Sequence, residues 1–151
     1  MIKLTQKYTI AEHNRGDCWR TAFACVLDKQ SPEEVPDFVY NEDGVVNENW
    51  FMDTWRWLES QGYYLESVGL GDRPEGCEYA EGIAERLRDE IYVVDGLSPR
   101  VRPDGSPIYH ACVATNLKVI HDPHPERLGL QGKPQTAWLL TPINKDQLTC
   151  I

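Results

Sequence analysis

A chain of 151 residues, 41% of them apolar, has the composition of one globular domain large enough to bury its own core. With 24 acidic against 15 scattered basic residues the net charge is −9, which excludes a nucleic-acid binder, because phosphate contacts need clustered cations. The opening MIKLTQKYTIAEHNRGD lacks the apolar region of a signal peptide, and no window approaches the ~18–20 apolar residues of a membrane span. A cytoplasmic protein is expected, one that handles peptides, proteins or small amides rather than nucleic acid or membrane.

Residues 5–17 are polar and irregular and are read as a loop. Asp17 is a suitable N-cap, and Cys18, Ala22, Cys25, Val26 and Lys29 follow helical spacing, so the first helix is expected from Cys18 to about Lys29. Ser31-Pro32-Glu33-Glu34 is a capping box with Pro at the first helical position, and predicts a short helix that stops before Pro36. Trp50, Phe51, Thr54, Trp55 and Leu58 predict a third helix over Asn47–Gln61, ended by Gly62. Its three tryptophans read as packing, since no basic residues accompany them for base stacking.

After Gly62 the pattern turns to β. Strands are expected over Tyr63–Val68 and Ile91–Val94, with a short helix near Ile83–Arg88 between them. Leu97–Pro107 holds three prolines and is read as a loop. Tyr109–Thr115 and Lys118–His121 flank Asn116-Leu117 and read as a hairpin, and Ala137–Leu140 as a last strand. Helices first and an antiparallel sheet after them make an α+β pattern in a single domain.

The five cysteines are odd in number and form no CxxC pair, so each is expected to be a free thiol that serves either the core or chemistry. Cys18 falls at the start of its helix, where unpaired backbone N–H groups and the helix dipole favour a thiolate. Cys25 lies two turns deeper among Ala22, Val26 and Leu27, and is read as buried core. His110 opens a strand. A hairpin turning at Asn116-Leu117 places it across from about residues 122–123, within reach of the Asp122 carboxylate. A thiol, an imidazole and a carboxylate supply a nucleophile, its base and the group that orients that base.

GDCWRTAFAC, residues 16–25, resembles the active-site helix of the papain-like cysteine proteases. HACVATNLKVIHDP, residues 110–123, is similar to their histidine strand, hairpin and acidic partner, most of all in small bacterial members such as exporter-linked leader peptidases. The two blocks cover about thirty residues. The resemblance implies a papain-like domain over 1–151, with N-terminal helices packed on a small antiparallel sheet. It implies Cys18 as nucleophile, His110 as general base and acid, and Asp122 as the orienting residue. The chain departs from papain at Arg15, where papain has a disulfide cysteine, and at Asp17, where it has Ser or Ala. The family's oxyanion-binding Gln is replaced by Glu12, and Gln6 is out of that register. Asn14 or His13, with the Cys18 backbone N–H, are therefore the expected oxyanion donors.

Trp19, Arg100 and His124 are candidate substrate contacts. Arg100 suits a substrate carboxylate or phosphate, or is an ordinary solvated charge. His110, His121, Asp122 and His124 are close enough in sequence to suggest zinc. His121 should face away from Asp122, however, and no HxxxH or CxxC accompanies them, so no metal and no cofactor are expected. Cys77 and Cys112 read as packing or surface thiols, and Cys150 as part of a frayed tail. The expected function is a cysteine-dependent hydrolase or acyltransferase acting on an amide, peptide or isopeptide bond; transglutaminase and deamidase chemistry use the same three residues. The alternative is a non-catalytic binding protein that keeps the fold, such as a phage or mobile-element inhibitor of a host protein.

Overall fold

The computed structural model describes residues 1–144, so Cys150 lies outside the described residues. A single helical turn, α1 (Ile10–His13), interrupts the segment expected to be a loop. Helix α2 (Cys18–Val26) carries Trp19 through Cys25 buried without interruption, so it is an interior helix rather than a surface one. Its small residues Ala22, Ala24 and Cys25 are 0% exposed and let it approach the sheet closely. The helix ends at Val26, three residues before the expected Lys29. Asp28 turns left-handed at φ 57, and the Lys29 N–H closes back on the Ala24 carbonyl. Asp17 precedes α2 but does not cap it with its side chain. Its carboxylate accepts instead from the Tyr8 N–H at 2.8 Å and from Arg20 Nε at 3.0 Å.

The capping box forms only a short 3-10 turn, Pro32–Glu34, with the Glu34 carboxylate accepting from the Ser31 N–H at 2.9 Å. Helix α3 (Trp50–Ser60) starts three residues later than expected, because the Asn47 side chain is turned outwards to the Phe38 carbonyl and to Asp53. Helix α4 (Ile83–Asp89) stands where the sequence places a short helix.

The strands β1 (Tyr63–Gly69), β2 (Tyr92–Val101), β3 (Pro107–Thr115), β4 (Lys118–His121) and β5 (Thr136–Pro142) form one sheet in the order β1-β5-β2-β3-β4. Every neighbouring pair in it is antiparallel. The architecture is α+β. Side chains alternate across β2 and β3. Val93, Ala111 and Val113 pack with Trp138 against α2 and α3, and Tyr92, Val94, Cys112 and Ala114 pack against α4.

The expected loop over 97–107 is mostly strand. β2 continues to Val101 and β3 begins at Pro107, leaving a tight turn between them. Pro99 is tolerated because the register shifts between Leu97 and Val101, so it falls where the ladder is broken, while Pro103 lies in the turn and Pro107 opens β3. The β3–β4 hairpin turns where expected, with Asn116 at φ 50 and Leu117 at φ 61 and Thr115 paired to Lys118. Left-handed Leu117 is held there by its N–H donating to the Tyr92 hydroxyl at 2.9 Å. Among the described residues no helix is long and apolar enough to cross a membrane.

Candidate active site

The start of α2 and the start of the buried part of β3 meet. Cys18 Sγ accepts from the Ala111 N–H, 93 positions further on, at 3.5 Å. The next residue back is His110, 5% exposed, whose Nε2 lies 2.6 Å from Asp122 Oδ1. With Nε2 engaged by the carboxylate, Nδ1 is the ring nitrogen left for a sulfur. The sulfurs of Cys18 and Cys112 are the other groups that act on the charge of this ring.

Asp122 is fixed from several directions. Oδ1 also accepts from the His124 N–H at 2.9 Å, and Oδ2 from the Gly129 N–H at 2.8 Å. Its own carbonyl accepts from Arg127, which also donates to Thr5 Oγ1 at 2.6 Å. The Gln6 N–H then ties the N-terminal strap to the Pro123 carbonyl at 2.9 Å.

Charge follows geometry. Burial pushes the Asp122 carboxyl up, but its hydrogen bond to His110, the charge there, and the His124 and Gly129 amides bring it down to about 2. Burial works against a charged His110 as well, yet the Cys18 sulfur, the Asp122 carboxylate and the Cys112 sulfur together push it up to about 12. His124 shifts the other way, lowered first by burial and then by the charges on Arg100 and His110. Its ring lies 6.2 Å from that of His110, edge to face. The charged form is thus favoured at His110 and disfavoured at its neighbour His124. Burial raises the thiols of Cys25 and Cys112, which keeps both protonated and inert at neutral pH.

Cys18 and His110 line a cleft of about 470 Å³ that also takes in Gln6, Gly16, Arg100 and His124. Across the two residues runs a second groove with Trp19, Trp50 and Asp95 in its wall. The cysteine and histidine thus stand where two depressions join, which gives an extended ligand room on either side.

Of the expected substrate contacts, Arg100 and His124 line the first cleft. Trp19 borders the second but is chiefly core. It is 7% exposed, donates to Thr54 Oγ1 at 3.0 Å, and packs edge-on against Phe23, Trp50 and Trp138. The two expected oxyanion donors are not brought to the cleft. The His13 ring stacks edge-on against Tyr8 with Nδ1 accepting from the Thr9 N–H at 3.4 Å. Asn14 takes a left-handed turn at φ 53 against Gly44.

Gln6 lines the cleft instead. It is 7% exposed, donates through Nε2 to the Tyr8 carbonyl at 2.6 Å, and leaves its Oε1 buried without a hydrogen-bond partner. A Cβ placed on Gly16 would stand 3.6 Å from Gln6 Nε2, so the amide lies directly against the strand of chain that leads into Cys18. The one signal in the sequence was a glutamine shortly before the cysteine; the α1 turn inserted between them hid the register.

The zinc set considered from sequence does not come together. His121 points away, its Nε2 donating to the Leu4 carbonyl at 2.6 Å, and it lines a different groove. Cys112 takes its place: among the described residues, donor atoms of His110, Cys112 and Asp122 all lie within 4.8 Å of one another and could hold a metal ion. His110 and Asp122 already satisfy each other in this arrangement. Set against protein-family models, curated proteins and solved structures, the chain finds no match.

Proposed function

We propose that the chain is a papain-like cysteine-dependent hydrolase or acyltransferase that acts on an amide, peptide or isopeptide bond through Cys18, His110 and Asp122. The observation that carries the reading is the meeting of Cys18 and His110 in one cleft, with Asp122 behind the ring. The Cys18 sulfur sits against the backbone of β3, beside an imidazole held from behind by a buried carboxylate at 2.6 Å. A charged His110 favours a thiolate at its neighbour, and a thiolate is the form that attacks carbonyl carbon.

In the proposed cycle Cys18 Sγ adds to the carbonyl carbon and the carbonyl π electrons move to oxygen. The oxyanion is received by the Cys18 backbone N–H at the start of α2 and by the second N–H of Gln6 Nε2. The His110 proton passes to the leaving nitrogen as the C–N bond breaks, and the amine departs, leaving a thioester. A water molecule, or an amine in a transfer reaction, then gives its proton to His110 and adds to the thioester. Collapse expels the Cys18 thiolate and restores the imidazolium. Asp122 keeps the ring oriented and its Nε2–H engaged throughout. A cytoplasmic site of action belongs to the same proposal, since a nucleophilic thiol needs reducing surroundings to remain free.

Iodoacetamide at pH 6–7 tests it, with the modified residues identified by peptide mass mapping. Cys18 is partly buried, whereas Cys77 is exposed, so accessibility alone favours Cys77. The proposal expects Cys18 to be alkylated first and His110→Ala to abolish that advantage. Alkylation of Cys18 no faster than Cys77 in the wild type overturns it.

A further inference from the structure

Among the described residues, Arg100 is the cation whose buried nitrogens are left without a partner. Arg20 is paired with Asp17 at 3.0 Å, Arg86 with Glu90 at 2.6 Å and Lys7 with Glu33 at 3.0 Å. Nη1 and Nη2 of Arg100 are both buried, and neither has a hydrogen-bond partner. A buried carboxyl or lysine in that position would relieve itself by changing protonation. A guanidinium cannot, because it stays charged throughout the accessible pH range. Buried polar groups in native proteins are almost always paired, so a forked cation with both ends open requires a reason.

Its position supplies one. Arg100 lies near the end of β2, where the register shift bends the strand, and its backbone N–H donates to Ser98 Oγ at 3.1 Å. From there the side chain lines the same cleft as Cys18 and His110. A planar fork whose two outer nitrogens are unpaired matches a carboxylate, which accepts two parallel N–H bonds. Phosphate offers the same two oxygens but a charge near −2, and Glu12 and Glu126 line this cleft in a protein of net charge −9. A monoanion meets the guanidinium with the smaller repulsion.

We propose that the substrate carries a carboxylate that docks on Arg100 while its scissile acyl group lies at the Cys18 sulfur. The inference rests on the reading of Cys18 as nucleophile, and it narrows the substrate from any amide to an acidic one. The cleft volume, about 470 Å³, suits a small molecule or one to two residues of a peptide. The carboxylate is then either a peptide C-terminus or an Asp or Glu side chain.

Covalent probes test this without a known substrate. N-chloroacetyl-glycine carries a terminal carboxylate; N-chloroacetyl-glycinamide is its neutral counterpart; N-chloroacetyl-aspartic acid α-amide carries only a side-chain carboxylate. Each alkylates a thiolate with loss of chloride. At pH 6.5 the wild type is expected to react at Cys18 about tenfold or more faster with at least one acidic probe than with the neutral one, as a charged bidentate pair warrants. The acidic probe that is preferred identifies the source of the carboxylate. Arg100→Gln brings the ratio to about one, and Arg100→Lys leaves part of it. Should Arg100→Gln fail to fold, protection of wild-type Cys18 from iodoacetamide by acetyl-glycine, and not by acetyl-glycinamide, gives the same answer. Cys18 reacting ahead of Cys77 without preference for an acidic probe, or a preference that survives Arg100→Gln, overturns the carboxylate site and leaves the nucleophile standing. Cys18 reacting no faster than Cys77 with every probe overturns both.

Discussion

Asp122→Asn keeps the shape of the side chain and removes one acceptor, and the geometry leaves it no good orientation. Both carboxylate oxygens are in use, Oδ1 by His110 Nε2 and the His124 N–H, Oδ2 by the Gly129 N–H. With the amide oxygen towards His110, the NH₂ faces the Gly129 N–H, donor to donor. Flipped, it faces His110 and His124 instead. An orphaned buried donor costs about 1–3 kcal/mol. The lost charge adds to this. The Asp122 carboxyl is brought to about 2 from its ordinary 3.8, and the side chain is 3% exposed, so solvent screens little of the effect. At about 1.4 kcal/mol per pH unit the depression contributes about 2 kcal/mol. The larger rise at His110 also contains the two sulfurs, so Asp122 is the better measure of this pair. The expected destabilisation at pH 6 is about 3–5 kcal/mol, in the range found when one member of a buried ion pair is removed.

The pH dependence fixes the cause. A depressed carboxyl stabilises the fold above its unfolded value and loses that effect as pH falls through its folded value. The charge part of the gap, about 2 kcal/mol, is therefore full at pH 5–6 and is lost between about pH 4 and 2, by at most about 1.4 kcal/mol per unit. On the alkaline side a raised His110 stabilises below 6.5, and that contribution is lost as pH climbs towards 12. The wild type accordingly weakens above neutrality, and Asp122→Asn weakens less steeply. Urea unfolding of both proteins at pH 8, 6, 4 and 3 reads all of this. Equal stability at pH 6, or a gap that does not change from pH 6 to 3, refutes the reasoning.

Gln6→Ala separates oxyanion binding from thiol reactivity: acetyl-glycinal, which forms a tetrahedral adduct on Cys18, should bind about a hundredfold more weakly, while alkylation of Cys18 by iodoacetamide keeps its rate. Cys25→Ala is expected to cost about 1–2 kcal/mol in a urea melt, since Cys25 is fully buried and its sulfur accepts the Leu4 N–H at 3.3 Å, with Cys18 alkylation unchanged. His110→Ala should lower the rate of Cys18 alkylation at pH 6 by at least tenfold, and a smaller loss means that the ring does not activate the sulfur.

What the sequence made legible follows from how local each feature is. The Asn116-Leu117 turn carries its signal in the alternation on either side, and the pairing of Thr115 with Lys118 appears in the structure as read. That turn brings the chain carrying Asp122 back beside His110, but a bulge between Val113 and Ala114 shifts the register by one residue, so their contact followed only in part from local pattern. The opposite case is β2, where Pro99, Pro103 and Pro107 argued for a loop. Proline rules out a ladder hydrogen bond, not an extended chain, and a register shift lets strand continue past it to Val101. Asp17 was legible in position and not in use. Its carboxylate takes Arg20 three residues on and the Tyr8 N–H, a distant partner that no local pattern points to.

Gln6 marks where reading by spacing stops. Its distance from Cys18 along the chain is meaningful only if the backbone between them keeps a constant path. Here α1 takes up a turn, and Asn14 reverses direction with a left-handed residue. Gly16 then passes directly against the Gln6 amide. A spacing rule counts residues, but an oxyanion site requires only that two N–H groups reach one point. The fold can meet that requirement with an extra helical turn in the intervening chain. For that reason the cysteine, the histidine and the aspartate were accessible from pattern, while the glutamine and the open guanidinium of Arg100 became visible only when the cleft that holds them was in view.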